Sequence, residues 1–411
     1  MRPNLVAGLD IGSTKTCAII AEVAGDPPKN PLVKILGVGQ ARSSGVRREV
    51  VTDIEGTTEG VRQAMKEAEL MAGVTVDRVY AGIAGEHIEA RVSTGVVAIG
   101  GDEVTAADVR RVQEVARAVV VPQERELLHV FPQEYVLDEQ RGIRDPVGMA
   151  GTRLEAEVYM ITSAGTAGQN LRRAVQRAGY RIEALVHEPF ASALAVLTED
   201  EKDVGVALVE LGAATTELVI FRDGKLRHLA SIPWGGHAIT NDLVKGLSVP
   251  YGEAERAKET HGVAIAQLVD PRETIELPGP GPDSVRQVSR ELLAHIIEQR
   301  LDEILGMVAA EVDGAGETGK LGAGVVLTGG GASMPGATEV TQRVFGMPAR
   351  VGTPGAGLTG LSDSVRKPKF ATAVGLVMYA ASRTLTGGSG TGTGFGESAM
   401  GRLVTWLKEF F

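Results

Sequence analysis

The 411-residue sequence predicts an α/β fold with a duplicated core spread over two or more domains. Short runs rich in Val, Ile and Ala alternate with segments that repeat apolar residues at helical spacing. A pattern near the N-terminus, two strands around a tight turn, recurs 200 residues later, so that Asp10-Ile11-Gly12 matches Glu210-Leu211-Gly212. Chain length points the same way, because single hydrophobic cores stop growing below this size.

The elements follow in order. Leu5–Ile11 and Thr16–Val23 read as strands flanking Gly12-Ser13-Thr14-Lys15, and Lys34–Val38 as a third strand. Ile54–Ala72 places Ile54, Val61, Ala64, Met65, Ala68 and Met71 at helical spacing. Residues 83–160 form a distinct block. It holds strands at Glu89–Ile99, Glu126–Leu137 and Glu155–Ile161, and a helix Ala106–Ala118 with Thr105 as its N-cap. A helix Ala167–Ala178, a strand Arg181–Val186 and a helix Pro189–Leu197 lead into the repeat. There Val204–Leu211 and Thr215–Phe221 enclose Gly212-Ala213-Ala214. Helices are expected at Ile239–Leu247, Gly252–Thr260, Ser284–Met307 and Phe370–Ser382, and a strand at Gly324–Leu327.

Composition narrows the function. A net charge of −10 without a long basic block excludes nucleic acid as the main partner. The single cysteine, Cys17, excludes internal disulfides and a cysteine-based zinc site, and fits a reducing compartment. Neither a signal peptide nor a run of 18 apolar residues is visible, so the body reads as cytoplasmic. His87 and His237 lack any ligand spacing, and no Ser/His/Asp or Cys/His set is recognisable.

The C-terminus is different in kind. Gly387–Gly396 has six glycines in ten residues and reads as a flexible tether. Beyond it, GRLVTWLKEFF drawn as a helix gathers Leu403, Val404, Trp406, Leu407, Phe410 and Phe411 on one arc of roughly 160°. Such a helix is about 16 Å long, too short to span a bilayer but suited to lying in its interface. The alternative is a terminal helix packed on the body.

Several motifs carry chemistry. A strand ending in a carboxylate, then a turn of small residues, presents backbone N–H groups able to hold phosphate, while the carboxylate orients a magnesium-bound water. Asp10 with Gly12–Lys15 is one such clamp and Glu210 with Gly212–Thr216 the other; either alone is usually just a turn, and two in matching positions of a duplicated fold point to a nucleotide shared between them. GVVLTGGGASMPG (324–336) ends a buried strand in Gly329, Gly330 and Gly331, which lets backbone approach a ligand or simply connects strand to helix. Glu188 opens an alanine-rich helix, either as a group that polarises water or as a cap. Glu255 and Lys258 share one helix face, reaching a ribose or base or forming a solvated pair.

The hairpins, the Glu188-Pro189 helix and the GVVLTGGG segment resemble the superfamily of actin, sugar kinases and heat-shock chaperones. More narrowly, the chain from about residue 4 onward resembles the bacterial FtsA cell-division family. GIAGEHI (82–88), LHVFPQEYVLD (128–138) and DPVGMAGTRLEAEVYMIT (145–162) look like that family's extra subdomain, 1C, and a tethered amphipathic helix is also characteristic of it.

The resemblance implies an actin-like, ribonuclease H-like duplicated fold with a 1C insertion. Residues 1–82 and 162–200 would form domain 1 (1A), 83–161 subdomain 1C and 201–360 domain 2 (2A/2B). Residues 361–386 would return to domain 1, 387–399 form the linker and 400–411 the membrane-targeting helix. It further implies an ATP- and Mg²⁺-binding protein that polymerises on the inner membrane face, anchors the FtsZ ring and recruits later division proteins. By position, Asp10, Ser13, Thr14 and Lys15 would line the first phosphate turn and Gly212, Thr215 and Thr216 the second. Glu255, Lys258 and Gly329–Gly331 would surround the nucleoside, with Glu188 and Asp10 as catalytic candidates. The helix Ile297–Leu305 would receive the C-terminal peptide of FtsZ through Arg300, with Glu303 beside it; the simpler reading of Arg300 is an exposed helix charge. A PilM-like pilus-assembly protein is the runner-up, and its class needs no amphipathic tail. A sugar or acetate kinase would need an acceptor site that the sequence does not offer. The superfamily's Asp-x-Gly-Gly-Gly-Thr is here Glu210-Leu211-Gly212-Ala213-Ala214-Thr215, and the crowded turn implies slow or absent ATPase activity.

Overall fold

In the computed structural model, residues 4–24, 32–118, 121–278 and 284–385 are described. Two sheets organise the body, each centred on one of the repeated hairpins. The first runs in the order Arg181–His187, Arg78–Ile83, Asn4–Ile11, Lys15–Ala24, Leu32–Arg42, with Leu358–Gly360 at its far edge. The second runs Ala349–Val351, Gly324–Thr328, Val206–Leu211, Thr216–Arg222, Lys225–Ile232. Five strands thus share one order and one set of directions: two parallel neighbours, then an antiparallel hairpin, then a third antiparallel strand. The register at the turns is also the same, Ile11 facing Thr16 and Leu211 facing Thr216. The duplication read from the sequence is a duplication of topology. The central strands are buried almost throughout, as expected where helices cover both faces of a sheet.

The block after residue 83 is a separate antiparallel sheet. Its order is Glu89–Ala98, Arg153–Ala164, Arg125–Leu137, Gln140–Ile143, with the helix Ala106–Arg117 across one face. Thr105 caps that helix in a reciprocal box with Asp108. His129 and Phe131 of this sheet pack against Phe190 and Tyr379, which fastens the insertion to the first half.

The chain crosses between the halves twice. It leaves the first through the helix Glu188–Val196 and returns to it at the edge strand Leu358–Gly360, from which Pro368–Phe370 leads into the helix Ala371–Leu385. These two helices pack on each other and, through the second, on Asn4–Ile11.

Some expectations need correction. Val285–Ser289 is a strand paired with Thr274–Pro278, not the start of a helix. The helix begins at Arg290, because the Ser289 hydroxyl accepts the Leu292 N–H and ends the strand, and it continues to Gly314 rather than Met307. Val204 closes a short helix, Glu199–Val204, and the strand starts at Val206. The strands Arg78–Ile83 and Lys225–Ile232 and the helix Ala337–Phe345 were not foreseen. The linker and the amphipathic segment, with Leu403, Val404, Trp406, Leu407, Phe410 and Phe411, lie outside the described residues. No helix among the described residues is long and apolar enough to cross a membrane.

Candidate functional site

The two turns are built alike. The Gly12 N–H donates to the Lys15 carbonyl at 3.0 Å, and the Gly212 N–H donates to the Thr215 carbonyl at 3.0 Å. Among the described residues, nothing accepts from the N–H groups of Thr14, Ala213 or Ala214 at the tips, while the Ser13 N–H donates to the Glu49 carboxyl. Unpaired N–H groups grouped on a turn form an anion-binding concavity.

At the first turn, the Lys15 ammonium lies 3.6 Å from Asp10 and donates to the Lys369 carbonyl at 2.6 Å, against the Phe370 ring. The Ser13 hydroxyl donates to Glu49 at 3.0 Å. At the second turn, Thr215 and Thr216 are buried, and the Thr216 hydroxyl donates to the Trp234 carbonyl. The helix Gly236–Leu247 begins against this turn, its Gly236 and His237 N–H groups donating to the Gly212 and Ala213 carbonyls at 3.0 and 2.7 Å. The approach is close enough that a Cβ on Gly235 would lie 2.6 Å from the Gly212 oxygen.

The glycine run abuts the base of the same turn. Gly329 has φ +80°, and a Cβ on it would lie 2.7 Å from the Leu211 oxygen; one on Gly331 would lie 2.8 Å from the Leu211 Cβ. Gly330, between them, faces open space. Packing therefore demands the outer two glycines, and the middle one is exposed. Lys258 lies below the Gly236–Leu247 helix. Its ammonium donates to Thr240 at 2.8 Å, to the Gly236 carbonyl at 3.2 Å and to Glu255 at 2.8 Å. Lys258 is buried, so the pair is not a solvated one.

Five carboxyl groups near the hairpins interact electrostatically: Asp10, Glu49 and Glu188 from the first half, Glu210 and Glu217 from the second; Glu49 and Glu188 line a pocket with Ile11, Gly82 and Leu171, and Glu217 one with Ile88, Tyr159 and Ser231. Burial raises all five; repulsion from other carboxyl groups adds to it at Glu49, Glu188, Glu210 and Glu217, with Glu49 at about 7 and Glu217 at about 8, whereas Lys15 opposes it at Asp10. Glu188 is held well above the carboxylate range by burial and then by Glu49, Asp10, Glu210 and Glu217. It makes no capping bond; its side chain fills the space over Gly82, where a Cβ would lie 2.6 Å from its Cγ. The two carboxylates expected to orient a magnesium-bound water differ. Asp10 faces Lys15, whereas Glu210 accepts from Ser192 at 2.9 Å and from Thr372 at 2.6 Å. Among the described residues, no three His, Cys, Asp or Glu side chains converge as a metal cage.

Arg300 lies apart from these five carboxyl groups, on the helix Arg290–Gly314. It donates to Asp242 at 2.5 Å and to Glu303 at 2.6 Å, and its guanidinium stands 5.6 Å from the Trp234 ring centroid. Its charge is therefore already answered by two carboxylates. Sequence reasoning missed Glu49, Glu217, Gly235, Gly236, Ser192 and Thr372. Gly235-Gly236 carried a signal, a glycine pair between a strand and a helix, and Glu217 sits opposite Glu210 across the hairpin. Glu49 carried none.

Comparison with known proteins adds the lineage. A family model described as cell division protein FtsA matches residues 207–375, and one described as the SHS2 domain inserted in FTSA matches residues 85–162. The cell division protein FtsA of Pseudomonas aeruginosa is 40% identical over 415 residues, covering 99% of this chain and 98% of that protein. Those of Neisseria meningitidis (43% over 373 residues, 90% and 89%) and Escherichia coli K12 (37% over 418 residues, 99% and 98%) are also similar. Among solved structures, the PilM–PilN type IV pilus biogenesis complex matches with a TM-score of 0.63 at 17% identity, covering 92% of this chain and 98% of that one. MreB5 of Spiroplasma citri bound to ADP matches with a TM-score of 0.54 at 12% identity, over 93% and 99%. At such identities these likenesses establish the fold alone. It is the actin-like one, with the inserted subdomain that the sequence led us to expect.

Proposed function

The chain belongs to the FtsA family of cell-division proteins, and from that membership we propose that it binds ATP between its two hairpins and anchors the FtsZ ring to the membrane. It would polymerise on the inner face of the cell membrane and recruit later division proteins there. One observation supports the nucleotide reading above the others: both turns hold the same geometry and, among the described residues, leave three N–H groups at their tips, those of Thr14, Ala213 and Ala214, without a protein acceptor. These groups suit phosphate oxygens, with Lys15 at the first turn to balance their charge. Gly330 offers open backbone for the nucleoside, and Glu255 and Lys258 stand at the far side of the second turn. The magnesium ion would enter with the phosphates, and Asp10 is the carboxylate placed to order its water. Glu188, its carboxyl pushed well above the usual range by burial and then by its neighbours, is poorly suited as a base for activating water, which supports slow or absent hydrolysis.

Removing Lys258 should weaken ATP binding about tenfold, because a charged donor beside the second turn is lost. Lys258→Met combined with Glu255→Gln removes the pair without stranding a buried carboxylate. Unchanged affinity of that double variant in a calorimetric ATP titration would place the nucleoside elsewhere.

Membrane attachment is assigned to Leu403, Val404, Trp406, Leu407, Phe410 and Phe411, since a net charge of −10 works against purely electrostatic binding. One such helix binds reversibly and a polymer presenting many binds firmly. FtsZ is expected to float with lipid vesicles only when the full chain is present, and not with a chain ending at Ser398. Trp406→Glu should cost about 2 kcal/mol per helix, roughly thirtyfold in vesicle affinity. If the full chain floats while FtsZ stays behind, the membrane reading stands and the partner is wrong. The PilM likeness is one of fold, and the relatives at 37–43% identity favour the FtsZ reading.

A further inference from the structure

We infer that Glu210 is a positioning residue that pins the joint between the two halves and thereby sets the spacing of the two hairpin turns. Two helices of the first half, Glu188–Val196 and Ala371–Leu385, pack on each other where the second half meets it. Each carries a buried hydroxyl, Ser192 at the middle of the first and Thr372 at the start of the second, and the two oxygens are 3.0 Å apart. Glu210 reaches them from the end of the second half's central strand. One carboxylate oxygen accepts from Ser192 at 2.9 Å and the other from Thr372 at 2.6 Å. Neighbouring side chains grip the same return segment. The Thr328 hydroxyl of the second half lies 3.2 Å from the Pro368 carbonyl, and Lys15 of the first donates to the Lys369 carbonyl at 2.6 Å.

The residue type follows from the geometry. Asp at this position would be shorter by one C–C bond, about 1.5 Å, and would not span to both hydroxyls. Both oxygens of Glu210 are committed to protein donors, unlike those of a carboxylate left free to order metal-bound water. Gly212 lies two residues further along the chain, so a shift of Glu210 against the helices moves the second turn against the first.

The test separates the joint from a metal role. Three variants are compared with the full-length parent: Glu210→Asp, Glu210→Gln and the near-isosteric pair Ser192→Ala with Thr372→Val. The first readout is the distance distribution between spin labels on the exposed Leu70→Cys and Leu268→Cys sites, which lie in opposite halves while the native Cys17 is buried. The second is the Mg²⁺ dependence of ATP affinity. Glu210→Asp and the hydroxyl pair should both broaden the distribution, and combining them should add nothing. Glu210→Gln should keep it narrow, since an amide accepts from one hydroxyl and donates to the other, and should keep the parent's Mg²⁺ dependence. Narrow distributions in Glu210→Asp and in the hydroxyl pair would overturn the joint. So would loss of Mg²⁺ dependence in Glu210→Gln with the hydroxyl pair behaving as the parent, which would make Glu210 a magnesium-site residue.

Discussion

Gly375→Ala is expected to destabilise the protein by more than about 4 kcal/mol, while Gly306→Ala, also inside a helix, is expected to be neutral or to stabilise by about 0.5–1 kcal/mol. A Cβ on Gly375 would stand 1.8 Å from the Ala191 carbonyl oxygen, 2.3 Å from its carbon and 3.0 Å from the Ser192 nitrogen. All three are backbone atoms, so no side chain can rotate aside. The helices Glu188–Val196 and Ala371–Leu385 must then separate along a contact where Ala191, Ala193, Val374 and Leu376 are fully buried. Separation would also draw Ser192 and Thr372 apart beneath Glu210. Around Gly306 nothing lies within 4 Å, and alanine there only gains helix propensity. Urea unfolding of the two variants reads the contrast directly. Equal midpoints would mean that these helices do not cross as closely as described.

The same contact shows which parts of the fold were legible in the sequence. Glu188-Pro189 followed by Ala191-Ser192-Ala193 marks a helix start, and its small residues mark a close approach, but not the partner. That partner is 184 residues away, at Gly375. The duplicated hairpins were legible because turn, strand length and terminal carboxylate recur together, and their local hydrogen bonding proved the same. The inserted block was legible from its strand-like runs, its capping residue Thr105 and the segments 82–88, 128–138 and 145–162 that resemble the family's. Ser284–Met307 was misread because Val285 and Val288 fit helical spacing, whereas strand pairing with Thr274–Pro278 is a long-range fact. Arg78–Ile83 was missed for a related reason. It is a short apolar run buried between parallel neighbours, with no alternation to betray it. Within the site, residues on the turns were visible as turn residues. Glu49 comes from a loop 36 residues beyond Ser13, and Glu217 gains its meaning only from its burial beside other carboxyl groups. Charge pairing was the least legible layer. Arg300 met Asp242, 58 residues earlier in the chain, as well as the neighbour that sequence had placed beside it.

Glu217→Gln should flatten the fall in stability that the parent shows between pH 6.5 and 8. Glu217 is buried, accepts from Ser231 at 2.8 Å, and is raised by burial from 4.5 to about 8; Glu49 is raised to about 7. Because the folded values lie above the unfolded ones, the native state keeps protons that the unfolded chain releases as pH rises through 4.5. Stability from these groups is complete below that point, falls across the window and is lost above about pH 8. His129 and His187 act oppositely. Burial lowers both to about 3, so the unfolded chain binds protons below 6.5 that the native state refuses, and stability falls with acid. The two trends offset one another below pH 6.5, and above it the carboxylates act alone. One proton corresponds to about 1.4 kcal/mol per pH unit, so the variant should gain roughly 2 kcal/mol on the parent between pH 6.5 and 8. Glutamine retains the Ser231 contact, so the gain is not confounded by a lost hydrogen bond. Urea unfolding across this range checks it, and parallel curves for variant and parent would show that Glu217 is ionised in the folded protein. The protons bear on function as well. A polyphosphate entering beside ionised carboxylates meets repulsion that protonated ones do not present, so ATP affinity of the parent should weaken over the same window, and less so in Glu217→Gln.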